Sequence, residues 1–278
     1  MEPAAGIRHT SHQYGPHALQ RVGVWESVSR RDEAGPWIVY IHGGAWRDPR
    51  NTLYDLEPTI NILRHDAVRG FASIDYRLSR HPDFPQDSDV TPEVELRTAL
   101  HPQHMHDVRA ALRMLLSDDN GIINAEDGYL LVGHSAGATL ALQVLMSNDE
   151  RDIIVPPPRA IIAIAGIYDL IGLNRRFNGQ YSGIISGAFG PDQLVWRDAS
   201  PLHLVAGWRP QDSLELTLAQ SPQDELIDVA ELRNMAAQLK EAGIKNVCIL
   251  PDLVGDHDAP WREGQQVADL VRRTLTDS

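Results

Sequence analysis

The chain has 278 residues, 42% of them hydrophobic and 23% charged. That is enough for one globular domain with a sizeable core, or at most a domain carrying an inserted cap. Its formal net charge of −13 argues against nucleic acid as a partner, because phosphate binding needs a basic patch, and there is no run of about eighteen apolar residues of the kind that spans a membrane.

Residues 1–20 are polar, lack the apolar stretch of a secretory signal, and read as a surface loop. Residues 19–25 (LQRVGVW) alternate as a strand does. Residues 36–41 (PWIVYI) form a continuous apolar run, as for a strand buried on both faces. Leu53 to Val68 has helical spacing, 70–76 (GFASIDY) reads as a strand, and Met105 to Leu116 as a helix. A strand at 128–132 (GYLLV) is followed by a helix at 138–146. Residues 160–166 (AIIAIAG) predict another buried strand, and 213–221 (SLELTLAQS) a further one. Val229 to Ala242 predicts a helix closed by Gly243, 246–250 (NVCIL) a strand, and Ala259 to Leu275 the last helix. The alternation implies an α/β fold with a mostly parallel sheet covered by helices on both faces. Residues 167–210 break the pattern, being rich in Gly, Asn and Pro, and suggest a cap over the sheet edge.

Chemistry concentrates at three places. In LLVGHSAGATLAL (130–142) a strand runs into Gly133-His134-Ser135-Ala136-Gly137 and then a helix. This is the G-x-S-x-G pattern in the strand-to-helix context that makes Ser135 a nucleophile. A serine hydroxyl needs a base, and in this architecture the acid and then the histidine follow in chain order. Asp224 is the first carboxylate beyond the strand at 213–221; Glu225 and Asp228 compete with it but fall where the helix is expected. His257 lies in the short loop before the last helix. Acyl transfer also needs preorganised donors for a tetrahedral oxyanion. The N–H of Ala136 is one. The stretch HGGAW (42–46), after the strand at 36–41, supplies the others: Gly44 and Ala45 by position, with Gly43 shaping the turn and the donating pair open by one residue. His42 and Trp46 are expected around the substrate pocket, His42 bracing the loop through hydrogen bonds and Trp46 either core or pocket wall.

HGGAW, GHSAGA and FASIDYRLS together resemble the α/β-hydrolase fold and its hormone-sensitive-lipase-like esterase branch. HGGAWRDPRNT, YGPHALQRVGVW and GDHDAPW are similar to the kynurenine formamidases of the fungal type, over about residues 14 to 275. The resemblance implies a Ser135–Asp224–His257 triad and hydrolysis of N-formyl-L-kynurenine to L-kynurenine and formate, a step of tryptophan degradation that feeds NAD synthesis. It implies no cofactor. Ser79-Arg80-His81-Pro82 departs from the esterase branch, which usually has Ala-Pro or a similar pair there, and bears on substrate shape.

Other clusters carry bland readings. The single cysteine, Cys248, excludes an intrachain disulfide, fits a reducing, cytoplasmic setting, and reads as a small core residue. His101, His104, His106 and Asp107 lack the spacing of a metal site, and Asp107 is expected to open a helix. Asp75-Tyr76-Arg77 reads as structural. Arg175 and Arg176 are candidates for a substrate carboxylate, with a solvated pair the plainer reading. The alternatives to a formamidase are a general carboxylesterase and a hydrolase-fold binding protein without catalysis. The expected partner is a small molecule, and a homodimer is compatible with the chain.

Overall fold

The computed structural model describes residues 6–27, 35–117, 121–124, 126–147 and 155–277. In chain order its elements are β1 (Ile7–Gln13), β2 (Arg21–Ser27), β3 (Trp37–Ile41), α1 (Glu57–Leu63), β4 (Gly70–Ile74), α2 (Gln103–Leu116), β5 (Tyr129–His134), α3 (Ala136–Met146) and β6 (Ala160–Ile164). Four short helices follow: α4 (Leu170–Arg176), α5 (Ser182–Phe189), α6 (Gln193–Ala199) and α7 (Pro201–Leu204). The chain closes with β7 (Glu215–Ala219), α8 (Val229–Glu241), β8 (Val247–Leu250), α9 (Ala259–Glu263) and α10 (Gln265–Asp277).

The eight strands form one sheet in the order β1-β2-β4-β3-β5-β6-β7-β8. β2 is antiparallel to both its neighbours, and the pairings from β4 onward are parallel. Strands β3, β4, β5 and β6 are buried at every position, because helices cover both faces. Alternation along a strand splits the core accordingly. Val39 and Ile41 pack with Val108 of α2, Leu140 of α3 and Leu232 of α8; Ile38 and Tyr40 pack on the opposite face with Ile60 and Leu63 of α1 and Val267 and Val271 of α10.

The strand order reverses direction between β3 and β5, and this positions the chemistry. A ligand crevice opens in an α/β sheet where adjacent loops leave the carboxyl ends of strands in opposite directions. Ile41, the last residue of β3, is in register with Gly133 near the end of β5. The HGGAW loop and the Ser135 turn therefore emerge side by side.

Two expectations are corrected. Residues 7–13 are the edge strand β1, paired antiparallel with β2, not a loop. Its sequence, Ile-Arg-His-Thr-Ser-His-Gln, has a single apolar residue, as an edge strand with little buried surface requires; residues 1–5 lie outside the described residues. The last helix is two helices, broken at Gly264 (φ +76°), where a Cβ would lie 2.6 Å from the backbone of Pro58. The segment 167–210 is largely helical. Its helices run only four to eight residues, too short for the periodicity that betrays longer ones. Cys248 sits on β8, the far edge strand, and is half-buried for that reason.

Candidate active site

Ser135 stands between β5 and α3 with φ +53° and ψ −121°, a conformation that L residues with a Cβ adopt only under strain. The packing around it dictates the turn. A Cβ on Gly137 would run into the carbonyl oxygens of Ile41 and His42, 2.6 Å from the latter, and one on Gly133 would collide with the backbone of Gly137. So α3 begins hard against the end of β3. The Ser135 N–H donates to the Ile164 carbonyl at 2.8 Å, tying the turn to β6.

Asp224 and His257 arrive from the turns after β7 and β8. The Nδ1–H of His257 donates to Asp224 Oδ2 at 2.8 Å, and both side chains are buried. The carboxylate is held from four directions. Oδ2 also accepts from Gln220 Nε2 at 3.1 Å, and Oδ1 accepts from the N–H groups of Leu226 and Ile227, each at 2.9 Å. With Nδ1 carrying the proton, Nε2 of the neutral ring is the free acceptor. The competitors are spent elsewhere. Neither has entered the helix: Glu225 lies in the preceding turn and accepts the backbone N–H of His257 at 3.0 Å, while Asp228 is the N-cap of α8 and pairs with Arg176 at 2.7 Å.

The HGGAW loop turns through three consecutive left-handed residues, Gly44 (φ +86°), Ala45 (φ +49°) and Trp46 (φ +60°). Position 44 requires glycine twice over, since a Cβ there would also meet the Asn51 side chain at 2.8 Å. The turn is closed by the N–H groups of Arg47 and Asp48, which donate to the Gly44 carbonyl at 2.9 and 2.8 Å. Among the described residues, the N–H groups of Gly43, Gly44, Ala45 and Ala136 donate to no backbone carbonyl outside the helices and strands. Gly43 packs against Ser135, where an added Cβ would be 3.1 Å from the serine Cβ.

Ser135, His257, Gly44, Ala45 and Trp46 line one cavity of about 250 Å³, and Ile167, Tyr181, Ile184 and Ile185 from the 167–210 segment form its apolar wall. Trp46 is thus both core and wall: fully buried, edge-to-face on Phe189 at 4.9 Å, with an indole N–H that has no partner among the described residues. His42 is not on the cavity, contrary to its assignment to the pocket region. It lies behind the loop, stacked on Tyr76 at 4.5 Å, with Nδ1 2.9 Å from the Gly43 carbonyl and Nε2 3.6 Å from Asp75.

Supporting residues surround the loop and the serine turn: Asp75, Tyr76 and Arg77, structural as their sequence reading has it, and His134, whose part that reading passed over. Tyr76 places its hydroxyl 3.1 Å from the carbonyls of both His42 and Gly43. Asp75 accepts from Arg21 and from the N–H of Leu53, and Arg77 pairs with Asp107; this trio therefore anchors the loop's foundation. His134 donates from Nε2 to the His257 carbonyl at 2.9 Å. Burial, with the neighbouring His257 ring as a second cause, holds its pKa well below the ordinary histidine value, so it acts as a neutral strut. Its place inside G-x-S-x-G was the one signal available. Asp107 lies a turn inside α2 rather than opening it, and no group of three metal-ligating side chains occurs among the described residues. Arg176 faces Asp228 and Glu231 and does not line the cavity.

No family model matches the chain. Among curated proteins it is 34% identical over 254 residues to the kynurenine formamidase-like hydrolase of Fusarium equiseti, covering 87% of this chain and 83% of that one. It is 33% identical over 269 residues to a kynurenine formamidase of Meyerozyma guilliermondii, covering 93% and 90%. To a kynurenine formamidase of Aspergillus versicolor it is 31% identical over 261 residues, covering 83% and 85%. Among solved structures, esterase B from Lactobacillus rhamnosis superposes with a TM-score of 0.73 at 16% identity, over 99% of this chain and 87% of that one. A carbohydrate esterase from gut microbiota gives 0.70 at 15% identity, over 99% of each. The fold is thus that of the α/β-hydrolase esterases, and by its relationship to the fungal proteins the chain belongs to the kynurenine formamidase family.

Proposed function

We propose that this protein is a serine hydrolase that cleaves N-formyl-L-kynurenine to L-kynurenine and formate, with Ser135 as nucleophile, His257 as general base and acid, and Asp224 as the residue that orients the histidine. The observation that carries it is the convergence on one cavity of a strained, strand-to-helix serine, a histidine locked on a buried carboxylate at 2.8 Å, and the HGGAW loop. The kinship with kynurenine formamidases supplies the substrate.

The chemistry follows in two halves. As Ser135 Oγ attacks the formyl carbon, its proton passes to Nε2 of His257, and the imidazolium is stabilised by Asp224 through Nδ1–H. The carbonyl oxygen becomes an oxyanion held by the N–H of Ala136 and by those of Gly44 and Ala45, where the dipole of α3 adds its favourable end. Collapse breaks the C–N bond. The aryl amine leaves with the proton returned by His257, and a formyl group remains on Ser135. Water then attacks that ester with His257 again accepting a proton, and formate departs as Ser135 is restored. Formyl is the smallest acyl unit, which suits a site where Trp46 and the loop crowd the acyl side. We assign the 167–210 segment the part of a cap, a cytoplasmic setting in which the protein works as one α/β-hydrolase unit, and a place in tryptophan degradation.

The test is substrate preference. The ratio of kcat/KM on N-formyl-L-kynurenine to that on p-nitrophenyl acetate is expected to exceed about 100, well within the discrimination available when a site pairs with polar groups one substrate lacks. A ratio below one would keep the serine chemistry and move the protein to the general carboxylesterases. Failure of an organophosphonate to label Ser135 would make it a binding protein.

A further inference from the structure

A cavity built for N-formyl-L-kynurenine must answer the carboxylate that this substrate carries on its leaving-group side. The basic side chains lining the catalytic cavity are Arg47, Arg50, His81 and His257. Three are committed or uncharged. His257 is held on Asp224. Arg50 grips both oxygens of Asp48 through Nε and Nη2 and lies over the Phe84 ring at 5.2 Å. The pKa of His81 is pushed down, by burial first and then by the neighbouring Arg47, so at neutral pH the ring carries little charge.

Arg47 is different. Among the described residues its guanidinium makes no hydrogen bond and has no carboxylate within 4.0 Å; Asp83 and Asp48 act on it only at longer range. It is half-buried, and burial lowers its pKa, the mark of a cation that lacks a close counter-charge. Its backbone is locked into the loop by the N–H bond to Gly44, so it is fixed relative to Ser135. It also lines a second, larger cleft of about 610 Å³ that adjoins the catalytic cavity through Arg47 and His81. That cleft presents Arg80 and Arg97 as well, and no carboxylate is among its lining residues. In a chain of net charge −13, the charged side chains that line this cleft are all cationic, which suits an anion.

We infer that Arg47 is the specificity-determining residue that receives the carboxylate of the amino-acid end of the substrate, at the junction between the catalytic cavity and the cationic cleft. This rests on the formamidase reading above. A guanidinium offers two parallel N–H donors that match a carboxylate in bidentate fashion, and partial removal from water strengthens the contact. With the formyl carbon at Ser135, this assignment directs the aryl amine and its side chain toward the junction with the cleft.

The experiment compares N-formyl-L-kynurenine with N-formylaniline, which keeps the scissile formamide and lacks the carboxylate, on wild-type protein and on Arg47→Gln and Arg47→Lys. Loss of a charge-assisted contact predicts that Arg47→Gln lowers the kcat/KM ratio of the two substrates by about 10- to 100-fold, mostly through KM for N-formyl-L-kynurenine, and that Arg47→Lys recovers part of it. An unchanged ratio in Arg47→Gln overturns the assignment. A second measurement needs no variant: L-kynurenine is expected to inhibit the wild-type protein at least about 10-fold more tightly than kynuramine, which lacks only the carboxylate; equal inhibition overturns it too. Wild-type protein that does not turn over N-formyl-L-kynurenine at all would overturn the formamidase reading instead.

Discussion

At the residue scale, a few side chains of the candidate site have no freedom left. Asp224 accepts four hydrogen bonds, so it is held against His257 and cannot turn away. Asp224→Asn keeps most of that packing but presents an amide N–H where the histidine needs an acceptor, and the wrong tautomer follows. A fall in kcat of about a thousand-fold or more is expected, with the thermal unfolding curve little changed. Gly137 is equally constrained for a different reason. A methyl group there would displace the end of β3 or the start of α3, so Gly137→Ala is expected to cost about 3 kcal/mol in urea unfolding, as overpacking against backbone does; a cost near zero would mean the two elements are looser than described. The convergence of Ser135, His257 and Asp224 was legible in the sequence because each sits at a strand's carboxyl end in the expected chain order. His42 braces the loop as its position suggested, but from behind it, with its ring buried against Tyr76 and away from the cavity. His134 carried no pattern that separates a strut from a core residue.

At the element scale, the parallel strands were readable because burial on both faces leaves continuous apolar runs such as 37–41 and 160–164. The edge strand β1 was not, since its stability comes from the ladder to β2 and not from apolar contact. The helices α4 to α7 escaped for lack of length. That segment is tied to the body by ions: Glu231 of α8 accepts the N–H groups of Tyr168 and Asp169 and meets Arg176 of α4. Burial raises the Glu231 pKa to about 7, against the pull of Asp169 N–H, Arg176 and Tyr168 N–H. The folded state therefore holds this proton more tightly than the unfolded chain does. The stabilisation is full below the unfolded value of 4.5 and is lost as pH rises through about 7. Between those limits the wild-type protein is expected to lose stability relative to Glu231→Gln as pH rises, measured as urea midpoints of the two proteins across that window. Parallel curves would contradict the raised pKa.

At the scale of the whole molecule, one topological fact does most of the positioning. The sheet reverses its winding between β3 and β5, so the loop with bare backbone and the turn with the serine lie side by side, while β7 and β8 bring the acid and the histidine from the other end of the sheet. Among the described residues no helix is long and apolar enough to cross a membrane. The overall charge of −13 leaves the cationic cleft beside the cavity as a local exception, and that cleft lay beyond the sequence because Arg47, Arg80 and Arg97 are far apart along the chain. The most direct measurement is steady-state turnover of N-formyl-L-kynurenine, followed by the appearance of L-kynurenine, by wild-type protein and by Ser135→Ala. Efficient turnover by the wild type and a loss of at least about ten-thousand-fold in the variant is the predicted result. Turnover that survives in Ser135→Ala would place the chemistry elsewhere than on this serine.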